Sequence, residues 1–186
     1  MKNEPSWYSI DRITTAYSNW IMGHLKQGWK PFLITLQFKP LPGGRRSILI
    51  QMHREIDRFY SILVNRLLHH PRSPSQACYC PRLILVPDLP TARWQKKSLP
   101  EVSINDGMHF HALLLIPPKS RLKTNPVSHF KENESIYVTN RLLKFDAALI
   151  HSNFPSVVEY VFKSIKRRKF SIDDIVIYPK STKELD

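Results

Sequence analysis

Two histidines flank one bulky apolar residue in His109-Phe110-His111, at the head of an apolar run that continues through Ala112, Leu113, Leu114, Leu115 and Ile116. Side chains alternate across a strand, so the two imidazoles share a face and Phe110 takes the other. Apolar residues on both faces indicate a central strand covered above and below, with the histidines at its wetter end. Neutral imidazole is the commonest metal ligand, and the pair makes half of a metal site. Alone, such a pair is more often packed than ligating, and its meaning depends on what else reaches that face.

A second constellation lies in Ser156-Val157-Val158-Glu159-Tyr160-Val161-Phe162-Lys163. Ser156 and Glu159 have capping-box spacing, which predicts a helix from Val157 with Glu159 as the cap's partner. Tyr160, Lys163 and Arg167 then follow one another along one helical face. Tyr160 falls near the start of this helix, where the positive end of the dipole suits a phosphate. A free phenol with a pKa of ~10 is a poor nucleophile, and a nearby cation and a metal would favour its phenolate. The bland alternatives are a half-buried aromatic and a solvated lysine. The run Lys166-Arg167-Arg168-Lys169 beside this tyrosine could track a nucleic-acid backbone, or could be a solvated helix end whose cations suit the dipole. Trp94 and His129 sit in basic loops where they could stack on bases.

The elements that must carry these residues follow from periodicity and punctuation. Helical spacing runs over residues 9–27 and stops at Gly28. Residues 32–38 alternate as a strand, and 48–68 carry a second helical stripe. Residues 71–81 read as loop, and 82–86 as a strand closed by Pro87. A long polar connection, 88–106, leads into the histidine strand, which Pro117 and Pro118 end. Residues 119–134 read as a basic, exposed excursion, 136–138 as a short strand and 140–150 as a helix. A last strand, 174–178, stops at Pro179, and 180–186 form a charged tail that frays. Helices interleaved with hairpin-like strands imply an α+β domain: an antiparallel, ferredoxin-like sheet with helices packed on it, 1–186 forming one domain with residues 1–30 as a helical extension.

Lys and Arg total 28 against 15 Asp and Glu, a net charge of +13. So basic a single domain points to a polyanion, nucleic acid first. No apolar run approaches the ~20 residues of a membrane helix and the first residues lack a secretory core, so a cytoplasmic protein without membrane contact is expected. Cys78 and Cys80, the only cysteines, form neither a zinc knuckle nor a disulfide framework.

Taken together, His109-Phe110-His111 resembles the HUH motif, and Tyr160-Val161-Phe162-Lys163 resembles the Tyr-x-x-Lys motif of single-tyrosine rolling-circle replication initiators, the Rep endonucleases. Residues 32–38 hold the place of that family's first motif. The resemblance implies that His109 and His111 hold a divalent metal, Mn²⁺ or Mg²⁺. Tyr160 would attack a phosphodiester of single-stranded or hairpin DNA at a replication origin, keeping the 5′ phosphate and releasing a 3′ hydroxyl. Lys163 would orient the tyrosine and stabilise charge on the phosphorane. Family members usually add a third ligand; Glu101, within reach across a hairpin, is preferred here, with Asp88 as the alternative. Ser156 and Ser164 stand where a second tyrosine would sit in two-tyrosine relatives. No phosphate-loop motif occurs, so unwinding would fall to a separate helicase. A mobilisation relaxase or single-strand transposase would share this chemistry. The competing readings are a non-catalytic nucleic-acid-binding domain on a ferredoxin-like fold and a two-histidine phosphodiesterase, although the two His-x-Ser/Thr motifs of the latter are absent.

Overall fold

Phe32, Ile34, Leu36 and Phe38 are all buried, while Leu33, Thr35 and Gln37 between them are half-buried. This alternation makes β1 (Lys30–Phe38) a strand with one fully apolar face and one mixed face. In the computed structural model, which describes residues 7–89, 104–122, 124–138 and 140–180, it is joined by β2 (Arg82–Asp88), β3 (His109–Ile116), β4 (Leu142–Leu149) and β5 (Val176–Tyr178). The sheet order is β4-β1-β3-β2-β5 and every pairing is antiparallel. The first four strands alone run 4-1-3-2, as in a ferredoxin-like α+β sandwich, and β5 extends the sheet beside β2.

The fully apolar face is covered by α2 (Arg45–Leu67) and by two short helices, α3 (Pro126–Glu132) and α4 (Glu134–Tyr137). Phe59 of α2 lies 5.3 Å from Tyr137 and 5.5 Å from Phe145, and Phe130 lies 6.0 Å from Phe32, ring centre to ring centre. The opposite face, that of His109 and His111, is crossed by α5 (Phe154–Lys166). This crossing is forced by connectivity. β4 and β5 occupy opposite edges, so the chain between them must traverse the sheet. Val158, Val161, Phe162 and Ile165 form the buried stripe of α5, and α1 (Trp7–Lys26) packs outside it, Tyr17 meeting Phe162 at 5.3 Å.

Several expectations are corrected. Residues 142–149 form a strand, not a helix. Register supplies the reason: Gln37 pairs with Lys144 and Phe38 with Leu142, so Leu143 is an extra residue in a bulge. The bulge puts Leu142 and Phe145 on the same buried face at a spacing of three, which imitates a helix. Residues 136–138 are no strand; Ile136 and Tyr137 end α4. The excursion at 119–134 is not merely exposed, because α3 buries Phe130 and His129. Pro87 does not close β2, which continues to Asp88. β5 covers β2 only at Leu83–Leu85, and a strand tolerates proline where one of its sides has no neighbour. Helix α5 begins at Phe154 with Pro155 in its first turn, after Asn153 in left-handed conformation. Ser156 donates to Asn153 Oδ1 instead of capping, and Glu159 pairs with Lys166.

Candidate metal and tyrosine site

β2 and β3 form a hairpin whose register sets Asp88 directly across from His109 and Val86 across from His111. Paired residues of an antiparallel ladder point to the same face, so the two imidazoles and one carboxylate converge. His109 Nε2 and His111 Nε2 are 3.1 Å apart, and Asp88 Oδ2 is 3.5 Å and 3.4 Å from them. The buried Asp88–His109–His111 group can hold a metal ion. An ion with ~2.1 Å bonds spaces its ligands about 3.0 Å apart in cis-octahedral and about 3.4 Å apart in tetrahedral geometry; two of the observed separations, 3.1 Å and 3.4 Å, fall in that range and the third, 3.5 Å, lies just above it. Among the described residues the carboxylate that reaches the histidines is Asp88; Glu101, preferred on sequence spacing, lies outside the described residues, as does Trp94.

The histidines are aimed by their other ring nitrogens. His109 Nδ1 lies 2.9 Å from the Gly107 carbonyl. A carbonyl only accepts, so Nδ1 carries the hydrogen and Nε2 presents a lone pair to the site. His111 Nδ1 lies 3.1 Å from Thr35 Oγ1, on the neighbouring β1. The turn before β3 is unusual: Asn105 and Asp106 both take left-handed backbone. Asn105 is buried and stitches that turn to the end of β1, accepting from the Leu41 N–H at 2.9 Å and donating to the Lys39 carbonyl at 2.9 Å.

From above, α5 lowers three consecutive contacts onto this group. Tyr160 Oη is 3.0 Å from His111 Nε2. Lys163 Nζ is 2.7 Å from Asp88 Oδ2 and 3.8 Å from the Tyr160 ring centre. Ser164, fully buried, donates to Asp88 Oδ1. Burial alone would push the Asp88 carboxyl up, but hydrogen bonds from His111, Lys163 and Ser164 outweigh it and hold the group far below the usual carboxylate range. Asp88 therefore stays an anion, ready as a hard ligand. Tyr160 remains 43% exposed, while Asp88 and His111 behind it are buried.

The structure thus brings together His109, His111, Tyr160 and Lys163, and with them Asp88, the alternative third ligand of the sequence reading. It adds Thr35 and Ser164. Thr35 had a sequence signal, being the small polar residue on the mixed face of β1. Ser164 had its spacing, one turn beyond Tyr160 and next to Lys163. Tyr160 does not lie at the helix start: it is in the second turn of α5, beyond the reach of the dipole's end, so Lys163 is the local positive charge. His129 is no base-stacking residue; it is buried, its Nε2 2.9 Å from Tyr137 Oη. Of the basic run, Lys166 is engaged by Glu159 at 2.6 Å and Asp11 at 3.1 Å. Arg167 and Arg168 are exposed and Lys169 is half-buried.

No family model, curated protein or solved structure matches this chain. No helix among the described residues is long and apolar enough to cross a membrane.

Proposed function

We propose that the protein is a metal-dependent DNA nickase and strand transferase of the single-tyrosine Rep type, joining its DNA through Tyr160. The observation that carries this reading is the 3.0 Å approach of Tyr160 Oη to His111 Nε2, within a group that also gathers Asp88, His109 and Lys163. A structural histidine pair needs no exposed phenol beside it. Two nitrogen donors and one carboxylate suit Mn²⁺ better than Mg²⁺, which prefers oxygen. Bound there, the ion would supply Lewis-acid polarisation of the scissile phosphate.

The chain's own residues do the rest. Tyr160 Oη attacks phosphorus, forming one P–O bond as the bond to the 3′ oxygen breaks. The phenol loses its proton and the departing 3′ oxygen gains one, leaving a 3′ hydroxyl and a 5′-phosphotyrosine. Lys163 lies against the Tyr160 ring, where its charge would stabilise the charge developing on the phosphorane. Asp88 and Ser164 hold that lysine and the carboxylate in register with the histidines. The number of P–O bonds is unchanged, so the step needs no nucleotide and runs in reverse to rejoin the strand.

The test is to mix protein, Mn²⁺ and labelled hairpin oligonucleotides. An SDS-resistant protein–DNA adduct is expected, lost with Tyr160→Phe and with chelator. Salt-sensitive binding with no adduct on any hairpin or single strand would leave a non-catalytic DNA-binding domain instead.

A further inference from the structure

Two hollows lie beyond Lys163, and they share Arg168. The nearer, about 500 Å³, is bounded by Lys163, Arg167 and Arg168 together with the paired Glu159 and Lys166. The farther, about 960 Å³, lies where α1, the start of α2 and the segment after α5 meet. Its cations are Arg45, Arg46, Arg168 and Lys169. Ile13, Leu49 and Ile172 give it a half-buried apolar lining. Asp173 and Asp174 also border it, Asp174 already accepting the Ser171 N–H at 2.8 Å.

Two features of this groove work against the isolated fold. The first turn of α2 carries Arg45 and Arg46 and no acid, and Gly44 before it supplies no side-chain cap. Cations at the positive end of a helix dipole are disfavoured. At the end of α5, the Arg168 N–H reaches the Ile165 carbonyl and the Lys169 N–H the Ser164 carbonyl, each at 2.9 Å. This is a Schellman closure, and Arg168 occupies its left-handed position with φ of 53°, where glycine is the favoured residue. Arginine thus stands at two places where the fold alone would choose otherwise, both on one groove. Arg45 is also pre-positioned: its guanidinium lies 4.4 Å from the Phe170 ring centre and donates to the Lys169 carbonyl at 2.6 Å.

We infer that this groove binds single-stranded DNA flanking the nick, its phosphates on Arg45, Arg46, Arg168 and Lys169 and its bases against the apolar lining. Arg168 lines both hollows, and Lys163, which lines the nearer one, lies against the Tyr160 ring. A duplex hides its base faces, so an apolar lining offers contact only to unstacked bases. The occupant rests on the nickase reading, but the groove can be tested apart from it.

Binding is measured by fluorescence anisotropy with a labelled oligothymidine of about twelve nucleotides, using Tyr160→Phe protein in EDTA, so that no cleavage intervenes. Each phosphate contact on a single strand contributes ~0.7 to the slope of log affinity against log salt. Arg46→Gln and Arg168→Gly are each expected to weaken binding about 3- to 10-fold and to reduce that slope by ~0.7. Arg168→Gly is also expected to raise the melting temperature by about 2–4 °C, as relief of a left-handed arginine should in a domain of this size. Weaker binding from a more stable protein is the signature of the proposal. Unchanged affinity and slope in both variants would overturn it, as would tighter binding to duplex of equal length, or sedimentation with phosphatidylglycerol vesicles in place of oligothymidine binding. Adduct formation by the wild-type protein is scored separately. Groove-dependent binding without any adduct removes the nickase and keeps the groove; an adduct with an unaltered salt slope in the variants does the reverse.

Discussion

At the scale of single residues, the site is a set of side chains that could ligate an ion, their directions fixed by neighbours on the outer side. Thr35 and Ser164 are the two to examine, because each binds one ligand through the atom facing away from the convergence. Thr35 Oγ1 takes the Nδ1 side of His111, and Ser164 takes Oδ1 of Asp88. Outer partners of this kind typically tune metal affinity 10- to 100-fold. Thr35→Val keeps shape and removes the hydroxyl, and Mn²⁺ affinity, read by electron paramagnetic resonance, is expected to fall within that range with the fold intact. Ser164→Ala leaves a buried carboxylate oxygen short of a donor, so it is expected to lower stability by about 1–3 kcal/mol as well as weakening Mn²⁺. Unaltered Mn²⁺ affinity in both would show that neither hydroxyl orients a ligand.

At the scale of elements, α3 and α4 illustrate how a polar pair inside the core sets pH response. Burial first, and Arg66 second, hold the His129 imidazole below its ordinary value. Between that lowered value and about 6.5 the unfolded chain binds the extra proton. Stability is therefore complete above about 6.5 and declines as pH falls through the window beneath it. His53 on α2 is shifted the same way, burial again leading, so the loss on acidification is shared. A thermal-melt series from pH 7.5 to about 5 is expected to flatten in part with His129→Phe; an identical pH profile would count against a buried neutral imidazole. These same elements mark the limit of what the sequence reveals. Strong periodicity made α1, α2 and the core strands legible, together with the two imidazoles, the phenol and the lysine. β4 was hidden because its bulge at Leu143 gives a strand the spacing of a helix. Asp88 was undervalued because Pro87 looks like a terminator, whereas β2 runs through it and the hairpin register then brings the carboxylate opposite His109. Thr35 and Ser164 act across pairs 76 residues apart in each case, a relation that no local spacing announces.

At the scale of the whole molecule, connectivity does the positioning. The Asp88–His109–His111 group sits on two neighbouring strands, but the phenol and the lysine arrive on a helix that spans the sheet because β4 and β5 lie at its opposite edges. Without an ion, Asp88 is neutralised across that junction by Lys163, which ties α5 to β2. An ion bound to Asp88, His109 and His111 would pin the β2–β3 hairpin in the native state alone, since the unfolded chain holds these three residues at no fixed spacing. Binding to the native state only adds about 2.7 kcal/mol at a free concentration a hundredfold above the dissociation constant. For a domain of this size that corresponds to a rise in melting temperature of roughly 5–10 °C. Differential scanning fluorimetry with Mn²⁺ is expected to show this rise, EDTA to reverse it, and Asp88→Asn to abolish it. Tyr160→Phe, which removes no ligand, is expected to keep it. A shift of equal size in Asp88→Asn would mean that the ion binds elsewhere, and the convergence of β2, β3 and α5 would then lose its chemical meaning.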